Sequence, residues 1–156
     1  MHEEFSKEIK TIAKFFFFAL LDENRALKVS RSAVGEFLRK VREFHEDEDK
    51  TQLVCDLTYK YFQKEKKLLA RGHSEVSFEK GWKKSPLLDF SIWLNFHKEA
   101  KYEDMICVIW VHVLELPVDV IAKTLMISPS SVLYRVSKGV RLMGQSSIRQ
   151  EDSNAN

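Results

Sequence analysis

Cysteine, proline and glycine are all scarce in this chain: two, three and five of its 156 residues. So few turn-formers argue against a strand-and-turn protein. The two cysteines, Cys55 and Cys107, sit inside apolar helical patterns and form no C-x-x-C pair, so they read as buried reduced thiols rather than a disulfide framework. The histidines (His2, His45, His73, His97, His112) never pair at i,i+4, which leaves a metal site without support. There is no Gly-rich phosphate loop and no nucleophile beside a positioned base, so the expectation is a non-enzyme with no cofactor. The longest apolar run, residues 15–21, is far shorter than the roughly 20 residues needed to cross a bilayer. The residues before it (Glu3, Glu4, Lys7, Glu8, Lys10, Lys14) carry both signs of charge, unlike a signal peptide. A soluble cytoplasmic protein with no membrane association is expected.

What the chain does have is apolar periodicity at helical spacing, in a sequence that is 44% apolar and contains eleven phenylalanines. Phe5, Ile9, Ile12, Phe16 and Leu20 make a first stripe, widened by Phe15, Phe17 and Phe18 into a segment central to the N-terminal core. Residues 22–30 read as a polar interruption, with helix in some part of it left open. A second stripe, Val34, Phe37, Leu38, Val41 and Phe44, starts from Ser32 as its cap. After the acidic loop Glu46-Asp47-Glu48-Asp49, a third carries Leu53, Val54, Leu57, Tyr61, Leu68 and Leu69 and stops at Gly72. Residues 73–85 read as a linker. Ser85-Pro86 then opens a helix with Leu87, Phe90, Leu94 and His97 on its buried side, and Met105, Ile106, Ile109, Trp110, Val113 and Leu114 follow on a strongly apolar one. The expected architecture is all-α with two helical subdomains. These are an N-terminal one over 1–72 and a C-terminal one over 86–145, followed by a disordered tail over 146–156.

The most informative stretch is 116–143. A short helix opened by Pro117 carries Val118, Ile121 and Leu125 on one side; Met126-Ile127 turns the chain; Ser128-Pro129 restarts a helix by cap and proline. Val132, Val136, Val140 and Met143 then form one buried stripe. Ser130, Ser131, Leu133, Tyr134, Arg135, Ser137, Lys138 and Arg141 are expected to face outward. Two short helices joined by a tight turn, the second presenting small polar, aromatic and basic side chains, form a helix-turn-helix suited to the major groove of double-stranded DNA. Charge favours the same face. Between Ala122 and Gln150 there is no acidic residue, while Lys123, Arg135, Lys138, Arg141 and Arg149 are basic. Three or four phosphate contacts would give a log–log salt slope of about −3.

On these residues the stretch 102–143 resembles region four of bacterial RNA polymerase sigma factors, closest to the short two-domain extracytoplasmic-function type. The residues carrying the likeness are Val120-Ile121-Ala122, the turn Met126-Ile127-Ser128, Ser131-Val132, and the basic run from Arg135 to Arg141. Departures are Val120 where the family has Glu, Gly139 inside the second helix, and Leu133-Tyr134 where a more polar pair is common. Residues 22–26, leading into the Val34-Phe37-Leu38-Val41 helix, resemble sigma region two only weakly.

The resemblance implies a transcription regulator that reads a −35 promoter element. Its matching contact positions are Ser130, Ser131, Leu133, Tyr134, Arg135 and Lys138. Charge adds Lys123 and Arg141 to these DNA-binding candidates. The partners implied are core RNA polymerase and an anti-sigma-like regulator. Leu133 and Tyr134 suit a protein surface equally well. Two alternatives therefore stay open: a degenerate sigma-like interaction module without DNA binding, and a stand-alone dimeric helix-turn-helix regulator.

Overall fold

The computed structural model describes residues 3–45, 48–70 and 91–154, and these are helical nearly throughout, with no strand among them. The first helix, α1 (Ser6–Leu20), buries Ile12, Phe15, Phe16, Ala19 and Leu20. It ends where Leu21 turns left-handed at φ 49° and donates its N–H to the Phe17 carbonyl. Asp22 follows at once as a cap, its carboxylate accepting from Arg25 N–H at 3.1 Å, and α2 (Glu23–Val41) begins.

The segment read as a polar interruption is thus helical, and Ser32 lies within the helix, bonded back to the Lys28 carbonyl. The reason is the character of its buried face. Ala26, Val29, Ser30 and Ala33 are small, so α1 and α2 pack closely without a long apolar stripe. The third helix, α3 (Lys50–Ala70), buries Leu53, Val54, Cys55, Leu57, Thr58 and Phe62. Gly72, the linker at 73–85 and the Ser85-Pro86 start lie outside the described residues.

Beyond them come α4 (Ser91–Glu99), α5 (Tyr102–Val108), a π-helical turn (Ile109–Val113), α6 (Val118–Leu125) and α7 (Pro129–Asn154). In α4 the buried residue is Phe96, not Leu94. His97 sits at the edge, its Nε2 2.8 Å from the Phe18 carbonyl of α1. The last helix runs to Asn154, through the part of the sequence read as a disordered tail.

Helices from both sides of the undescribed segment meet in one apolar core. Trp110 is its joint. The indole is fully buried, stacks on Phe15 of α1 at 5.6 Å, and donates from Nε1 to Thr58 Oγ1 of α3 at 3.1 Å. The Thr58 hydroxyl in turn donates a hydrogen bond to the Cys55 carbonyl, so this buried polar pair is satisfied. Around it, Phe62 meets Tyr102 edge-on and Phe18 meets Trp93. Gln52 of α3 reaches α6, donating to the Val120 carbonyl and to Thr124 Oγ1, which in turn bonds Asp56.

Two titratable groups report on this packing. Glu36, paired with Lys60 and accepting from Tyr61, is held at about 2 chiefly by its bond to Lys60. Burial pushes His97 down to about 4, opposed by its bond to the Phe18 carbonyl. A histidine depressed in the folded state is protonated preferentially by the unfolded chain. Its stabilising effect is therefore complete above the ordinary value of 6.5 and is lost as pH falls from there towards 4. Replacing His97 by Gln should flatten this part of the pH–stability profile, as measured by denaturant unfolding at pH 7 and pH 4.5. An unchanged profile would mean that His97 is solvated in the folded protein.

Candidate nucleic-acid interface

Helix α6, the turn after it and α7 form a compact corner. The corner begins with Pro117, whose fixed φ and missing N–H suit a helix entrance, with Asp119 in the first turn as the favourable charge there. It is closed by a Schellman arrangement: Met126 N–H bonds the Lys123 carbonyl at 3.3 Å and Ile127 N–H bonds the Ala122 carbonyl at 3.1 Å. The residue that must turn left-handed is Met126, at φ 54°, with its side chain almost fully in solvent. A side chain in this region costs about 1–2 kcal/mol, which a glycine avoids.

Ser128 then caps α7, its Oγ accepting from Ser131 N–H at 3.1 Å and lying 2.8 Å and 3.1 Å from the hydroxyls of Ser131 and Ser130. The two sequence-derived contact serines are therefore part of the cap as well as of the surface.

Helix α7 lies against α4, α5 and α6. Val132 and Val136 are buried, as the spacing predicts. Val140 is not, being 44% exposed, and the buried position next along is Gly139. A 3.6-residue period carries the face from 132 and 136 to 139 and 143, and Gly139 has no side chain with which to reveal it. Its absence of a Cβ is required: one built there would overlap Val108 Cγ2 and touch the Phe96 ring at 3.4 Å.

This rotation also decides where the eight candidate side chains go. Ser130, Leu133, Tyr134, Arg141 and Lys123 are exposed, with Leu133 at 52% and Tyr134 at 65%. Ser131, Arg135 and Lys138 are half-buried. Lys138 does not point freely outward: its Nζ pairs with Asp104 Oδ2 of α5 at 3.2 Å and lies 5.5 Å over the Tyr134 ring. Arg135 is half-buried on the same side, and its charge favours the ionised forms of Glu103 and Cys107. Glu103 is shared, since Lys66 of α3 reaches it at 3.2 Å. Its carboxyl is held below the usual range by its own backbone N–H, then by Lys66 and Arg135.

The expectation that Arg135 and Lys138 simply face outward therefore needs correcting. The structure brings them to the acidic first turn of α5, while Lys123 and Arg141 are the candidate cations left exposed. Sequence reasoning assigned no role to Glu103 and Asp104. The available signal was the Glu103-Asp104 pair itself, placed in the first turn of a helix that must pack against the basic one.

Beside Lys123, a shallow cleft is lined by Asp119, Ala122, Met126, Ile127 and Pro129. Among the described residues no group of His, Cys, Asp and Glu could hold a metal ion, and no helix is long and apolar enough to cross a membrane.

The chain matches no family model and no curated protein. Its fold is similar to that of the sigma factor RpoE of Bartonella quintana, known from a co-crystal structure in complex with the anti-sigma factor NepR. The two chains are 10% identical, the match covers 92% of this chain and 94% of the other, and the TM-score is 0.71.

Proposed function

We propose that this chain is a sigma-like transcription regulator, not an enzyme, that works in the cytoplasm, associates with RNA polymerase and lays α7 on promoter DNA as the second helix of a helix-turn-helix. The observation that carries the reading is the corner itself. A Schellman-capped helix turns into a serine-capped one whose outward side offers Ser130, Leu133, Tyr134, Ser137 and Arg141, flanked by Lys123 and free of acidic side chains over 122–150. The likeness in fold to a sigma factor supports the same assignment. In this role Lys123 and Arg141 meet phosphates, while Ser130, Ser131 and Tyr134 set register on the duplex. Because the similar structure is bound to an anti-sigma factor, a regulator of that kind is the partner proposed beside the polymerase.

The test is duplex DNA binding at low salt, together with co-purification with core RNA polymerase. Lys123→Ala and Arg141→Ala should each lower affinity and reduce the salt slope by about 1, as removal of one phosphate contact does. Binding that ignores both substitutions would remove the DNA role.

A second reading is favoured by a separate observation: Met126, Leu133 and Tyr134 leave apolar surface in solvent while Lys138 is neutralised from within. On that reading the corner docks a protein. Capture of core polymerase without any duplex affinity would support it.

A further inference from the structure

The segment 122–150 carries five cations and no acid, yet one of the five is already paired with a carboxylate from elsewhere in the fold and a second feels the charge of another. Asp104 is buried, with its side chain 5% exposed, and holds Lys138 at 3.2 Å. Lys138 itself is 35% exposed, so its flexible stem can swing the ammonium into water once the pair is broken. Arg135, half-buried one turn before Lys138, feels the Glu103 carboxylate, whose ion pair is with Lys66. Both acids project from the first turn of α5, which packs directly on α7 and is fixed in register by the Gly139–Val108 approach.

We infer that Glu103 and Asp104 are positioning residues that act as internal counter-ions, holding Arg135 and Lys138 off a polyanion and so setting how tightly α7 grips it. This rests on the proposed DNA role for its biological meaning, but its physical content is wider: the acids compete with any phosphate or sulfate chain for the same two cations. A duplex that engages only Lys123 and Arg141 gives a salt slope near −2, and each released cation steepens it by about 0.9. Across a tenfold drop in salt one such contact adds about an eightfold gain in affinity.

The experiment compares the wild type with Asp104→Asn, Glu103→Gln and the double variant, on two probes. Heparin-column elution reports cation availability whatever the partner, and duplex DNA titrated against salt reports the proposed target. Asp104→Asn should elute from heparin at higher salt and, if the DNA role is right, bind duplex more tightly, with the gain growing about eightfold per tenfold drop in salt. The gain should vanish when Lys138→Ala is added. Glu103→Gln, made in a Lys66→Ala background because Lys66 is its ion-pair partner, should give a smaller gain through Arg135 that vanishes with Arg135→Ala. Neutralising Glu43, exposed and outside this contact, controls for net charge alone.

Tighter binding with a steeper slope is an outcome that unfolding cannot produce. If Asp104→Asn fails to fold, Glu103→Gln, whose acid is 47% exposed, carries the test. Unchanged heparin elution in folded variants overturns the inference. So does a gain that persists without Lys138 or Arg135, or that Glu43→Gln matches. A later heparin elution with no duplex binding in any variant sustains it and rejects the DNA role instead.

Discussion

Trp110→Ala is expected to cost about 3–5 kcal/mol of folding stability, the range for truncating a large buried aromatic. For a protein of this size that corresponds to a fall in Tm on the order of 10 °C. The size of the effect follows from what the indole joins. Its ring stacks on Phe15 of α1, its N–H bonds Thr58 of α3, and its backbone lies in the π-helical turn that leads to α6. Truncation opens a cavity where three elements meet, so it should loosen the whole shared core.

Trp110→Phe separates the two contributions. It keeps one aromatic ring and removes the Nε1 donor with the rest of the indole, so it should cost less than alanine, about 1–3 kcal/mol, while the Thr58 hydroxyl still donates to the Cys55 carbonyl. Denaturant unfolding of both variants makes the comparison. A loss under about 1 kcal/mol for Trp110→Ala would mean that the two sets of helices do not share their core in solution.

Gly139→Ala should destabilise the protein, although Gly-to-Ala inside a helix ordinarily stabilises it by up to about 1 kcal/mol. The added methyl has to displace Val108, which is β-branched, stiff in a helix and 2% exposed. Overpacking of this kind costs about 1–3 kcal/mol. Gly144 supplies the control on the same helix, because a Cβ there meets nothing within 4 Å. Gly144→Ala should therefore stabilise by about 0.5–1 kcal/mol, and the two substitutions should move the unfolding midpoint in opposite directions. Adding Val108→Ala to Gly139→Ala should recover part of the loss by making room. Equal signs for the two glycines would mean that α7 does not sit on α5 as described. The variant also bears on binding, since a displaced α7 takes Lys138 away from Asp104.

Most of the corner made by α6, its turn and α7 was visible in local signals. Proline at 117, the Ser128-Pro129 restart and the valines at 132 and 136 are short-range features, and the structure uses each of them. The turn was visible too, although its left-handed residue is Met126 and not glycine, because backbone hydrogen bonds set the conformation there. The N-terminal half was read less well at residues 22–30, where small buried residues rather than large ones make the contact. Such a face does not stand out in a search for apolar stripes. Val140 was misplaced for a related reason, since the residue buried in its stead has no side chain.

The sequence by itself determined most of the helices, the caps and breaks between 117 and 129, and the concentration of positive charge between 122 and 150, because all of these depend on neighbours within a few residues. Only the tertiary structure decided which cations remain available. The acids that restrain them lie on another helix about thirty residues earlier, brought within reach by the close approach of Gly139 to Val108. An ion pair depends on distance in space, and periodicity along one helix cannot report it.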